Sequence, residues 1–130
     1  MFIDASALVA ILNGEPDAEE LAAALEKSTD TVTSPVALVE TVMSLGKQRG
    51  IDPHEAFTEV SALLRLAGVV VRAVDCQTGI FAIDAHARFG KGSGHRARLN
   101  LGDCFAYAAA RQHGLRLLYK GDDFSHTDIG

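Results

Sequence analysis

At 130 residues, 48% of them hydrophobic, the chain has the length of one domain and enough apolar side chains to build a core. Its formal net charge of -5 argues against indiscriminate nucleic-acid binding, and no apolar run reaches the roughly 20 residues that a membrane-spanning helix needs. No basic stretch precedes the first apolar segment, and the two cysteines, Cys76 and Cys104, read as small core residues of predicted helices rather than as a disulfide pair, so the expected location is cytoplasmic.

Phe2-Ile3 reads as a short buried strand that ends at Asp4, and Ser6 to Leu12 as a helix stopped by Asn13-Gly14. Glu15 to Lys27 is expected to be an amphipathic helix with Leu21 and Leu25 on one face. Thr31-Val32-Thr33 is β-prone. Ser34-Pro35, a capping residue followed by proline at the first helical position, starts a helix that runs to about Gln48, with Gly50 ending it. Asp52-Pro53 repeats that logic for a helix from His54 to Leu66. After Gly68, Val69-Val70-Val71 is a continuous apolar run of the kind found in a fully covered parallel strand. Asp75 caps a helix from Cys76 to Arg88, and Phe89 to Leu99 is a loop rich in glycine and basic residues. Asn100 caps a last long helix ending at His113-Gly114, and Arg116 to Tyr119 is the final strand. Strands alternating with helices predict an α/β protein, one domain over residues 1–130, built as an α/β/α sandwich around a mostly parallel sheet of four to five strands. Sites in such folds form beyond the carboxyl ends of the strands, which is where Asp4 and the pair Asp122 and Asp123 fall.

Acidic residues recur in settings where a carboxylate is costly. Asp4 suits both a helix cap and a metal ligand. Glu40 lies within a helix on a stripe shared with Val36, Val39 and Met43; a pairing with Lys47 or Arg49 at the edge of that stripe is the alternative. Asp103 stands three residues beyond Asn100 at the mouth of an apolar helix, where it either complements the helix dipole or looks into a cleft. Asp122 and Asp123 follow Gly121 and serve equally as an acidic turn, while Asp128 reads as part of a solvated tail. Were these carboxylates to converge, they would repel one another, and a hard divalent cation is the natural remedy. Mg²⁺, with Mn²⁺ as a substitute, fits such oxygen ligands, and the scattered histidines offer no zinc spacing.

From Ala85 to Gly102 there is no acid, and Arg88, Lys91, Arg96 and Arg98 supply positive charge suited to a nucleic-acid backbone. Lys91-Gly-Ser-Gly reads as a short flexible loop, and Ser6 as a hydroxyl placed to bond a metal-held water or simply to start a helix. No phosphate-binding glycine motif is present. These features point to a metal-dependent phosphodiester hydrolase. A small phosphatase is an alternative, weakened by Ser6 where such enzymes carry a second Asp; a non-catalytic α/β protein-binding module is another.

Asp4-Ala-Ser-Ala-Leu-Val, Glu40 in a mid-chain helix, Leu101-Gly-Asp103-Cys104 and Lys120-Gly-Asp-Asp123-Phe124 together resemble the PIN-domain family, and more closely the VapC-type toxins of bacterial type II toxin-antitoxin systems. The resemblance covers essentially the whole chain. It implies a Mg²⁺- or Mn²⁺-dependent endoribonuclease acting on structured RNA such as tRNA or rRNA, with Asp4, Glu40, Asp103 and Asp123 as its acids and Asp122 as the alternative fourth. It also implies a VapB-like antitoxin whose C-terminal segment occupies the active-site groove, a homodimer, and operator DNA bound only through the antitoxin. The exposed faces of the Glu15–Lys27 and His54–Leu66 helices are further candidates for partner contact.

Overall fold

Side-chain alternation along an extended chain sends Phe2 and Ile3 to opposite faces of their strand, and each begins a separate core. In the computed structural model, which describes residues 1–130, Phe2 joins Val32, Tyr107 and Phe124, whereas Ile3 joins Leu8, Leu45 and Val60. The strands are β1 (Phe2–Ile3), β2 (Val32–Thr33), β3 (Val70–Val71) and β4 (Leu117–Leu118). All pairings are parallel, in the order β3-β2-β1-β4. Helices α1 (Ala5–Leu12), α2 (Ala18–Lys27) and α4 (Pro53–Leu66) build the Ile3 core, and α5 (Cys76–Phe89) and α6 (Leu101–His113) the Phe2 core. Helix α3 (Pro35–Arg49) contributes to both, through Ala37 on one side and Leu45 on the other. This is the expected α/β/α sandwich, with four strands.

Several local expectations change. The valine run is not covered: Val69 is buried, but Val70 is 62% exposed, because β3 is an edge strand with a partner only in β2. Helix α2 starts at Ala18 rather than Glu15, since the side chains of Glu15 and Asp17 turn to the ammonium of Lys120 instead of capping the helix. Cys104 is buried as expected, but Cys76 is exposed at the start of α5, and both are free thiols.

The glycine-rich loop is tied shut rather than flexible. Lys91 N–H donates to Leu99 O at 3.0 Å and Leu99 N–H to Phe89 O at 2.9 Å, while the Ser93 hydroxyl donates to Gly90 O. Asp128 is no solvated tail. It accepts a 2.7 Å hydrogen bond from the hydroxyl of Tyr107, which is buried, and pairs with Arg88 at 3.5 Å and Arg111 at 3.7 Å. Burial first, and the Asp128 acceptor second, push the Tyr107 phenol up to about 12, so it remains a donor at any working pH.

The topology decides where chemistry is placed. Because β1 lies between β2 and β4 and all run parallel, the residues leaving those strands emerge at one edge of the sheet. Those residues are Asp4, the Ser34 cap of α3, and the segment from Tyr119 onward.

Candidate active site

Asp4 is fixed from three directions. Its backbone N–H donates to Leu118 O at 2.9 Å, which anchors it to β4. Its carboxylate caps α1 by accepting from Ser6 N–H at 3.0 Å, and it also accepts from the Ser6 hydroxyl at 2.6 Å. The side chain is nevertheless almost wholly buried, at 4% exposure. Cap and cleft residue are thus one arrangement. Ser6 in turn accepts from Lys120 N–H at 3.0 Å, so a single hydroxyl joins Asp4 to the chain leaving β4. Its one proton goes to Asp4, so toward a metal-held water it would act only as an acceptor. Ser6→Ala is expected to lower activity by about 10–100-fold, the range seen when a group that orients a ligand is removed. The check is cleavage rate against melting temperature, with the rate falling far more than stability.

Asp103 occupies the third position of α6 and completes a reciprocal cap. Its N–H donates to the Asn100 side chain at 2.9 Å, and its Oδ2 accepts from Asn100 N–H at 3.1 Å. It is 8% exposed. Glu40 projects from α3 toward the start of α6, where its carboxyl group lies against Gly102. The stripe around Glu40 is not buried as expected. Val39 and Met43 are exposed, and with Leu101 they line a groove of about 560 Å³ in which Glu40 is the acid.

The remaining predicted residues separate into those near the acids and those committed elsewhere. Asp123 is exposed, but its charge bears on both Asp4 and Asp103. The backbone carbonyl of Asp122 closes a turn with Ser125. Lys91 faces the site closely enough to stabilise the Asp103 carboxylate. Arg96 and Arg98 are exposed on the same loop, Arg98 in a left-handed backbone conformation. Arg88 is engaged within the fold. Its guanidinium donates to Tyr107 at 3.1 Å, pairs with Asp84 and Asp128, and sits 4.7 Å over the Phe89 ring, so its charge is matched within the fold.

The electrostatics are those of mutually repelling carboxylates, with Lys91 opposing the repulsion at Asp103. Burial raises the pKa of Asp4, with Asp123 adding to it against the bonds from Ser6. Burial, then repulsion by Asp4 and Asp123, lifts Asp103 from 3.8 to about 6. Burial, then Asp4 and Asp103, lifts Glu40 from 4.5 to about 7, with no hydrogen bond offsetting the shift. No three of these side chains stand close enough together to hold an ion as they lie. The donor set is all oxygen, partly desolvated and rich in negative charge, which suits a hard divalent cation and not zinc.

A carboxyl group whose pKa is higher in the folded state binds more protons there across the interval between its two values, so stability falls as pH rises through that interval. For Asp103 and Glu40 the interval runs from 3.8 and 4.5 up to about 6 and about 7. The metal-free protein is therefore expected to lose on the order of 5 °C in melting temperature between about pH 5 and about pH 8. Excess Mg²⁺ or Mn²⁺ is expected to restore it at the upper end. Thermal melts in chelator and in each cation check this.

A family model described as PIN domain matches residues 1–130. The chain belongs to the PIN-domain family. A VapC ribonuclease of Rhizobium meliloti is 44% identical to it, over 99% of both chains. Ribonuclease VapC42 of Mycobacterium tuberculosis is 43% identical, over 99% of this chain and 96% of the relative. Within the PIN-domain family the chain thus falls among the VapC ribonucleases. The fold has a solved counterpart in VapC20 of Mycobacterium tuberculosis, described as a Sarcin-Ricin loop cleaving toxin, with a TM-score of 0.76 at 23% identity over 99% of this chain and 95% of that one.

Some residues of this PIN domain's site escape a reading of the sequence. Lys120, set between Glu15 and Asp17, anchors the segment that carries Asp123, and its partners are more than a hundred positions away. Gly102 left one faint signal: a glycine inside the first turn of an otherwise good helix has no local reason to be there.

Proposed function

We propose that this chain is a metal-dependent endoribonuclease, the toxin of a VapBC-type toxin-antitoxin pair, cutting structured RNA such as tRNA or rRNA. The mutual repulsion of Asp4, Glu40, Asp103 and Asp123 carries the reading: the first three have raised pKa values, each pushed further up by other acids of the set. In this reading Asp4, Glu40 and Asp103 hold Mg²⁺ or Mn²⁺, with Asp123 completing the set. When bound there, a divalent cation would offset charge on the scissile phosphate and acidify water. Ser6 keeps Asp4 turned to the site, and the Asn100 N–H does the same for Asp103. Lys91, Arg96 and Arg98 hold backbone phosphates beside a site that otherwise repels them. Base choice falls to unstacked bases meeting the apolar walls, with few aromatic platforms, as the chain has no Trp, two Tyr and six Phe.

Two surfaces suit protein partners. Val39, Met43 and Leu101 line one exposed apolar groove by the site, and Leu101 lines another with Ile83 of α5; a second copy of the chain would cover this ground. An antitoxin's C-terminal segment would occupy the active-site groove, and the exposed Phe57 and Leu66 of α4, beside a groove of about 290 Å³ between α2 and α4, offer it a further contact. Operator DNA would be reached only through that antitoxin. No helix is long and apolar enough to cross a membrane.

Expression in a bacterial host tests the toxin reading. Growth arrest relieved by Asp4→Asn, or by co-expression of a small protein encoded beside this chain, is the expected result. Unimpaired growth with abundant folded protein would remove the reading and favour a binding module.

A further inference from the structure

Gly102 is the second residue of α6 and is buried. Glycine weakens a helix relative to alanine, so its presence there needs a cause. Backbone geometry supplies none, because Gly102 is not among the residues with positive φ. Surrounding space supplies one. A Cβ built on Gly102 would overlap Oε2, Cδ and Oε1 of Glu40, and these are its three nearest atoms. Other helical glycines show no such conflict: a Cβ at Gly79 meets nothing within 4 Å, and one at Gly46 makes ordinary contact at 3.4 Å.

The obstructing atoms are the far end of a flexible side chain. An added methyl group would therefore displace the carboxylate rather than the helix. The way out is open, since Glu40 borders the groove lined by Val39, Met43 and Leu101. A carboxylate swung into that groove leaves the neighbourhood of Asp103, the residue next to Gly102.

We propose that Gly102 is a positioning residue, whose missing side chain forms the slot that holds the Glu40 carboxylate against the start of α6, next to Asp103. This rests on the cation reading above. It assigns the glycine of the Leu101-Gly-Asp103 segment to the site, acting through Glu40.

The test is Mn²⁺ titration by calorimetry on the full chain, with thermal melts in chelator. Gly102→Ala is expected to weaken Mn²⁺ binding at least about 10-fold, while its metal-free melting temperature stays equal to wild type or rises. Made in a Glu40→Gln background, Gly102→Ala should cost no further affinity, because the group it displaces has already lost its charge. Together with Glu40→Asp, one methylene shorter, it should cost less than when made alone. Unchanged Mn²⁺ affinity in Gly102→Ala overturns the proposal. So does an equal loss in all three backgrounds, or a metal-free melting temperature well below wild type, either of which would make Gly102 a packing position. Wild-type protein that binds no Mn²⁺ overturns the cation reading itself, and this inference with it.

Discussion

Asp103→Asn is expected to reduce RNA cleavage by more than about 100-fold, beyond the 10–100-fold loss typical of a group that only orients a ligand, while leaving the metal-free protein folded and somewhat more stable. The two halves of that expectation have one cause. Asp103 is held in a buried position by Asn100 and repelled by Asp4 and Asp123, which together with burial raise its pKa to about 6. At neutral pH the folded state thus bears the cost of a desolvated, crowded carboxylate. A carboxamide keeps the shape and removes the charge, so the fold gains while the site loses an anionic ligand. Asp4→Asn should behave alike in activity, with less gain in stability, because its carboxylate already receives bonds from Ser6 N–H and the Ser6 hydroxyl. Melting temperature in chelator, measured beside cleavage rate, separates these effects. A variant inactive because it is unfolded would contradict the assignment.

The second large effect belongs to the loop. Replacing Lys91, Arg96 and Arg98 together by alanine is expected to raise KM for RNA by about 10–100-fold and to flatten its dependence on salt, with kcat changed far less. The chain is net acidic and its site concentrates negative charge, so RNA approach depends on a local basic surface. The loop supplies it in a fixed shape, closed by the bonds between Lys91 and Leu99 and between Leu99 and Phe89. Arg88→Ala should not behave like the triple variant. Its guanidinium fastens Asp128 and Tyr107, so its loss should appear as reduced stability. A steady-state series at several salt concentrations distinguishes the two. An unchanged salt slope in the triple variant would show that RNA enters by another face.

The sequence carried most of the fold because its boundaries are written locally. Ser34-Pro35, Asp52-Pro53, Asp75 and Asn100 each start a helix in the structure, and in each case a side chain accepts a backbone N–H of the first turn. The opening dipeptide Phe2-Ile3 was legible as a strand, and the parallel order follows from helices between strands. What failed were matters of placement. Three valines in a row look the same at the centre of a sheet and at its edge, and only the pairing order exposes Val70 and Val71. A stripe of Val36, Val39 and Met43 beside Glu40 has helical spacing whether it faces a core or a groove. Asp128 departs from its expectation for the same reason: its partners Tyr107 and Arg88 are 21 and 40 positions away. Asp4, Glu40 and Asp103 stand out in the sequence because each sits in an apolar segment where a charge is out of place, whereas Asp123 has no such local mark. Their supports, Ser6 to Lys120 and Glu40 over Gly102, are contacts between distant segments and needed the structure.

The most direct measurement is end-mapped cleavage of total bacterial RNA by the purified full chain, in Mg²⁺ and in chelator, beside Asp103→Asn. Discrete cuts that require the cation and disappear in the variant are expected. Folded protein that leaves RNA intact in both Mg²⁺ and Mn²⁺, or an Asp103→Asn variant that cuts at the same positions and rate, would contradict the assignment of these carboxylates as a ribonuclease centre.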